Sequence, residues 1–256
     1  MLKSFIYFNP KICYQVDRKQ ILGLKTLWAQ IFALIYFGWQ KFGKMIKNID
    51  RVLKILAKQQ GISMLGSFRS YPAWKILIST ILSARANDAA TIPVTKELFR
   101  KYRSLRALSK ADPGVVKKII KRTVYFNQKT KYIINTAKRI LKDYKGKVPS
   151  DLDELMKLPG VGHKVGCCVL VYAFNIPEIP IDTHVAVVAH RLGWTKETDA
   201  KKIWKDLKEK IPRKYWLIVN ELLVVHGQTI CIKRKPLCFK CPVVKYCKYE
   251  DKNLKA

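Results

Sequence analysis

Four cysteines crowd into 17 residues near the C-terminus with the spacing Cys231-x6-Cys238-x2-Cys241-x5-Cys247. Four thiolates in one short loop suit a zinc tetrahedron or a four-iron cubane. Zinc sites usually pair two short Cys knuckles across a longer gap. Here one Cys-x2-Cys pair is flanked by two wider steps, a pattern that favours the corners of a larger cluster. Four unliganded buried thiols fit poorly, because the loop between them is polar and basic, with Lys233, Arg234, Lys235 and Lys240. With every ligand position filled by protein, such a cluster is structural, and its loop offers those cations to phosphates.

A second group lies upstream. In Leu158-Pro159-Gly160-Val161-Gly162-His163-Lys164, two glycines around one residue permit a tight turn that leaves backbone N–H groups open at the start of the next helix. That is a cradle for phosphate, and it reads no bases. A Gly-x-Gly alone is more often an ordinary turn between helices. Lys164 opens a helix, Lys164 to Phe174, that is apolar almost all round. A lysine at the mouth of a buried helix, beside its positive end and other cations, is expected to have a lowered pKa, and a neutral amine is a nucleophile. The competing reading is one more surface lysine among 50 basic residues; the neighbourhood, not the residue type, singles out Lys164. Asp182, in Pro180-Ile181-Asp182-Thr183-His184, reads as a helix N-cap. Opposite a nucleophilic amine, a carboxylate has a second use: it accepts the amine's proton, or steadies positive charge on a sugar as a base departs. His184 either joins that site or faces phosphate or solvent.

The elements that must hold these residues are helical. Ile49, Val52, Leu53, Leu56 and Ala57 recur at helical spacing, with Gly61 as a stop. Further helices are expected over Tyr71–Ser83, Thr91–Tyr102, Asp112–Lys121 and Lys129–Tyr144. A capping box at Ser150-Asp151-Leu152-Asp153 opens a short one that ends before Pro159. After Lys164–Phe174 come Thr183–Leu192, Ala200–Lys208 and Tyr215–His226. No run alternates with period two, so the chain is all-α.

At 256 residues the chain can bury a substantial core, and 49% apolar content excludes a disordered tail or a fibre. With 50 Lys+Arg against 18 Asp+Glu, the net charge is +32, which calls for a polyanionic partner, nucleic acid first and a membrane surface second. Seven cysteines, an odd number, with no signal-peptide pattern point to a reducing, intracellular compartment. Residues 1–44 stand apart, with seven basic residues, one acid and ten of the 28 aromatics. Their longest apolar run, Leu27 to Trp39, is shorter than the roughly 20 residues of a membrane span. The expected reading is an extension packed on the main body; an interfacial helix and a translation start at Met45 stay open as alternatives.

Taken jointly, the hairpin with Lys164, Ile-Asp-Thr-His-Val (181–185), the cysteine run and Ile81-Leu82-Ser83-Ala84-Arg85-Ala86-Asn87-Asp88 resemble the endonuclease III family of base-excision DNA glycosylases, within the helix-hairpin-helix superfamily. The resemblance spans about Met45 to Tyr249. It implies a two-lobed all-α fold, with a six-helix barrel lobe over 66–176 and a cluster lobe made of 45–65 and 177–256. It implies a bifunctional enzyme, a DNA N-glycosylase and abasic-site lyase, acting as a monomer on duplex DNA that carries a damaged base or an abasic site, with no membrane partner and with a place at the nucleoid. The amine of Lys164 would attack C1′ of the damaged nucleotide with help from Asp182. Pro159, Gly160, Val161, Gly162, His163, Arg85 and His184 would contact DNA, and Cys231, Cys238, Cys241 and Cys247 would carry a [4Fe–4S] cluster.

Three positions depart from the family pattern. Arg85 stands where bacterial relatives typically have a glutamine that fills the gap left by the flipped nucleotide, His163 replaces a common arginine, and Val124 a frequent glycine. Two alternatives remain: a monofunctional mismatch glycosylase of the same superfamily, which generally lacks the lysine and uses water, and a non-catalytic iron–sulfur DNA-binding protein. The second leaves the Lys164/Asp182 pair unexplained.

Overall fold

The structure is a computed structural model that describes residues 45–59, 61–86 and 88–255. The expectations for residues 1–44, with Cys13, and for Asn87 lie outside the described residues. Twelve α-helices and three 3-10 turns make up the regular structure of the described residues, with no strand among them. No helix there is long and apolar enough to cross a membrane.

Short polar caps set the helix starts. Ser63 opens α2 (Met64–Ser67), Ser104 opens α5 (Leu105–Ser109), and Asp112 with Pro113 opens α6 (Pro113–Ile120). Asp151 caps α8 (Leu152–Met156), accepting from the N–H groups of Asp153 and Glu154. The cap is therefore Asp151 rather than the Ser150 of the expected box: the shorter Asp turn satisfies two donors at once. Asp182 caps α10 (Thr183–Arg191) and Asp199 caps α11 (Ala200–Lys210).

The apolar stripes then sort the helices into two main cores. Leu77, Ile78 and Leu82 of α3 (Ala73–Ser83) meet Leu98 of α4 (Asp88–Lys101), Ile120 of α6, Ile133 and Ile140 of α7 (Phe126–Asp143), and Val169 of α9 (His163–Phe174). In α9 every residue from Val165 to Tyr172 is buried, as its all-round apolar surface demands. The second core joins Val52, Leu53 and Leu56 of α1 (Ile49–Leu56) to Val185 and Val188 of α10, Ile203 and Leu207 of α11, and Leu223 of α12 (Val219–Thr229). A smaller cluster of Met64, Leu65, Phe68, Ile76, Cys168 and Val171 adjoins the first core through Tyr71 and Ala173. Burying an aliphatic side chain is worth about 1.5–3 kcal/mol, so α1 finds its stability more than 120 residues away in the chain.

Some boundaries differ from expectation. α4 begins at Asp88 and α7 at Phe126, each three residues earlier than the apolar periodicity marks them. The helix expected from Tyr215 is a 3-10 turn at Arg213–Tyr215 followed by α12.

Candidate active site

The hairpin joins α8 to α9. Gly160 takes φ +77°, and a Cβ there would lie 2.7 Å from the Tyr132 ring, so only glycine fits. Pro159 is held through its carbonyl, which accepts from Thr136 Oγ1 at 2.7 Å, and Val161 is buried in the first core. Gly162 is the N-cap of α9, makes no side-chain capping bond, and has nothing within 4 Å of where a Cβ would stand. The first-turn N–H groups of α9 thus have no side-chain cap, which is the state a phosphate cradle requires. His163 turns its ring edge-on to Trp204, centroids 4.7 Å apart, with Nδ1 3.7 Å from Cys167 Sγ. Burial, against the nearby Glu178, lowers its pKa. What His163 offers the hairpin is its main chain.

Lys164, half-buried in the first turn of α9, and Asp182, half-buried at the start of α10, line one cleft of about 690 Å³, within the size range of small-ligand sites. Asp182 Oδ1 accepts the Val185 N–H at 2.8 Å, so the cap uses one carboxylate oxygen. Both charges reach the Cys168 thiol on the same wall: Lys164 lowers its pKa and Asp182 raises it, while burial dominates and pushes it up to about 11. That thiol stays protonated at neutral pH and is no competing nucleophile.

Arg85 and His184 line the same cleft. Arg85 is exposed and left-handed at φ 54°, an uncommon geometry for a residue with a side chain. Its guanidinium lies 6.0 Å from the ring of Tyr125, which is left-handed too and 55% exposed. His184 sits against Gly227, where an added Cβ would come within 2.9 Å of it.

Sequence reasoning missed two parts of this site. The first is a polar floor. Tyr172 OH lies 2.8 Å from Asn220 Oδ1 and 2.7 Å from Glu221 Oε2; Asn220 Nδ2 donates to the Pro180 carbonyl at 2.7 Å; and Glu221 also accepts the N–H and hydroxyl of Ser63, each at 2.6 Å. The available signal was Asn-Glu inside the otherwise apolar run Val219–Val225. The second is Lys129, only 4% exposed, whose ammonium donates to the Leu82 carbonyl at 2.6 Å. Burial lowers its pKa to about 8. It neutralises the negative end of α3 and ties that end to the first turn of α7, the two elements that carry Arg85 and Tyr125. Nothing in a lysine at helical spacing announces this.

Cys231, Cys238, Cys241 and Cys247 ring a separate pocket walled by Val188, Leu192, Ile230 and Val243. Among the described residues no three His, Cys, Asp or Glu gather closely enough to hold a single metal ion; the four thiols share a wider wall instead. Arg191 fastens the loop, donating through Nη1 to the Cys231 and Ile232 carbonyls and through Nη2 to the Lys233 carbonyl, with Nη1 also 3.4 Å from Cys231 Sγ. Burial raises the Cys231 thiol and pushes Cys241 up to about 11. Four half-buried thiols round one pocket that also holds Arg191 and Lys252 suit an electron-rich group that binds them as thiolates.

Three comparisons bear on this arrangement. Residues 78–213 match the model of the HhH-GPD superfamily base excision DNA repair proteins. The endonuclease III of Thermotoga maritima is 36% identical over 176 residues, 69% of this chain and 83% of that protein. A solved non-covalent endonuclease III–DNA complex superposes with a TM-score of 0.71 at 32% identity, covering 78% of this chain and 91% of that one. A trapped covalent endonuclease III–DNA intermediate gives a TM-score of 0.69 at 30% identity, covering 80% and 97%.

Proposed function

Since the chain belongs to the HhH-GPD superfamily of base excision DNA repair proteins, and within it to the endonuclease III family, we propose how its own residues divide the work. The enzyme is a bifunctional DNA glycosylase and abasic-site lyase of base excision repair. One observation carries the assignment of roles: Lys164 and Asp182, on different helices, line a single cleft, with the Cys168 thiol, raised in pKa by burial, on the same wall.

In this reading the damaged nucleotide leaves the stack, because its sugar carbon is shielded inside a duplex. The amine of Lys164 attacks C1′; the new C–N bond forms as the glycosidic bond breaks and the base departs with the bonding electrons. Asp182 takes a proton from the amine and steadies the positive charge on the sugar. The nitrogen lone pair then opens the sugar ring, C1′–O4′ breaking as O4′ takes up a proton. The protonated imine so formed acidifies the neighbouring C2′–H. Loss of that proton drives β-elimination, the 3′ phosphate leaving with the C3′–O electrons and the strand cut 3′ to the site. The start of α9, where Gly162 brings no side-chain cap, holds backbone phosphate through main-chain N–H groups, and Arg85 fills the gap left by the flipped nucleotide. Oxidised pyrimidines are the proposed substrates.

The two cores support the lobes as 66–176 for the barrel and 45–65 with 177–256 for the cluster lobe. We assign a [4Fe–4S] cluster to Cys231, Cys238, Cys241 and Cys247. Such a group supplies a structural clasp, and the loop residues Lys233, Arg234, Lys235 and Lys240 would then stand ready for phosphates. The proposed working form is a monomer on duplex DNA at the nucleoid.

The test is borohydride trapping on a duplex with one abasic site, comparing wild type with Lys164→Ala. The expected result is a covalent adduct and 3′ nicking by the wild type and neither by the variant. A wild type that binds without trapping or nicking would remove the amine from the mechanism.

A further inference from the structure

The charge of this protein is unevenly spread. Between residues 101 and 147 there are 15 Lys and Arg against two acids, Asp112 and Asp143. Five of these cations line one concavity: Arg106 and Lys110 from α5 and its C-terminal edge, and Lys138, Lys142 and Lys145 from the end of α7, with Ser109 at the base. All five are exposed, and none has an acidic partner among the described residues. Lys138 and Lys142 are a like-charged i,i+4 pair, which destabilises a helix by a few tenths of a kcal/mol.

The concavity shares no lining residue with the cleft and lies on a flank of α7 away from the hairpin contacts. At about 100° per residue, Tyr132, Thr136, Arg139 and Asp143 share one face of the helix. That face meets the hairpin: Tyr132 covers Gly160, Thr136 donates to the Pro159 carbonyl, and Arg139 donates to the Lys157 carbonyl. Lys138 and Lys142 sit about 90–130° round the helix from the centre of that face, on the flank toward α5, and Lys145 follows just past the helix end. Lys142 is also 17 residues, about 26 Å of helix, from Tyr125 at the rim beside Arg85. Phosphates held at that rim are beyond the reach of these lysines.

We propose that this concavity is a second phosphate-binding surface, and that its occupant is a second segment of duplex DNA, held while the cleft engages the first. The inference rests on the DNA-repair reading above. It fits the charge: cations that repel one another and lack acidic partners among the described residues are neutralised by a polyanion, with release of its counterions. Such a surface reads no sequence, and it lets the enzyme bridge neighbouring segments while it scans.

The experiment uses the full chain trapped by borohydride on an immobilised duplex of about one and a half turns bearing one abasic site. The cleft is then filled, and a labelled undamaged duplex is added over a salt series. Wild type should capture the second duplex. The variant Lys138→Gln/Lys142→Gln/Lys145→Gln should trap as efficiently as wild type but capture about tenfold less. Its slope of log affinity against log salt should be shallower by about 2.7, three contacts at about 0.9 each. No capture by trapped wild type, or equal capture by the variant, overturns the proposal. So does preferential capture of phosphatidylglycerol vesicles over duplex, which would make the surface one for lipid headgroups. Failure of the wild type to trap would overturn the parent reading, and this inference with it.

Discussion

At the scale of single residues, Asp182 serves two ends, and chemistry can separate them. Its Oδ1 caps α10 through the Val185 N–H, and its charge is felt across the cleft at Cys168. Asparagine caps as well as aspartate but carries no charge. Asp182→Asn should therefore keep the melting temperature within a degree or two while base excision in single-turnover kinetics falls about 10²–10⁴-fold. Asp182→Ala should lose a similar rate and also about 1 kcal/mol of stability. Equal melting loss in both variants would show that the carboxylate's charge matters to the fold. Arg85 makes a related point: its type is legible in the sequence, but the left-handed backbone and the Tyr125 ring beneath its guanidinium arise only where two loops meet.

At the scale of elements, the fold depends on joints between helix ends. Lys129 fastens the last turn of α3 to the first turn of α7 through the Leu82 carbonyl. Its folded pKa of about 8 lies below the ordinary 10.5, so between those values the unfolded chain binds the extra proton. Stability gained from this site therefore rises with pH across that window, and below it the buried charge is a standing cost. In urea unfolding, the stability of wild type relative to Lys129→Met should increase from pH 8 to pH 10, by at most about 1.4 kcal/mol per pH unit. A difference that stays flat with pH would show that the ammonium is not desolvated. The longer helices and most of their ends were readable from caps and apolar stripes. The short α2 and α5 were not, since four or five residues carry too little period, and the starts of α4 and α7 came three residues early, each with one turn that adds too little to the stripe.

At the scale of the whole molecule, two cores meet at a cleft and a second tie crosses between them. Glu178 accepts from Lys208 Nζ at 2.7 Å and Trp204 Nε1 at 2.9 Å, and Trp204 carries the His163 ring at the hairpin. The cluster loop depends on Arg191, which reaches three carbonyls from α10 and lies 4.5 Å from the Tyr249 ring centroid. Purified protein is expected to hold about four irons per chain, and Arg191→Ala should lower that number and quicken iron loss to a chelator, with the helical content of the barrel lobe retained. Iron content unchanged in the variant would remove Arg191 from the support of the loop.

The sequence alone brought forward the candidate groups: an amine, a carboxylate, a Gly-x-Gly turn and four cysteines at fixed spacing are local patterns, and local spacing survives in any correct fold. It also determined that the chain is helical, since caps and a 3.6-residue period are properties of neighbours along the chain. Only the tertiary structure decided that Lys164 and Asp182 share a cleft with Arg85, that α1 closes the C-terminal core, and that Tyr172, Asn220, Glu221 and Ser63 form one floor. It alone turned His163 onto Trp204 and placed Lys129 beneath the rim. The reason is physical: these outcomes depend on burial and on hydrogen bonds between residues tens to more than a hundred positions apart, and desolvation is a property of the assembled neighbourhood, not of any residue or its period.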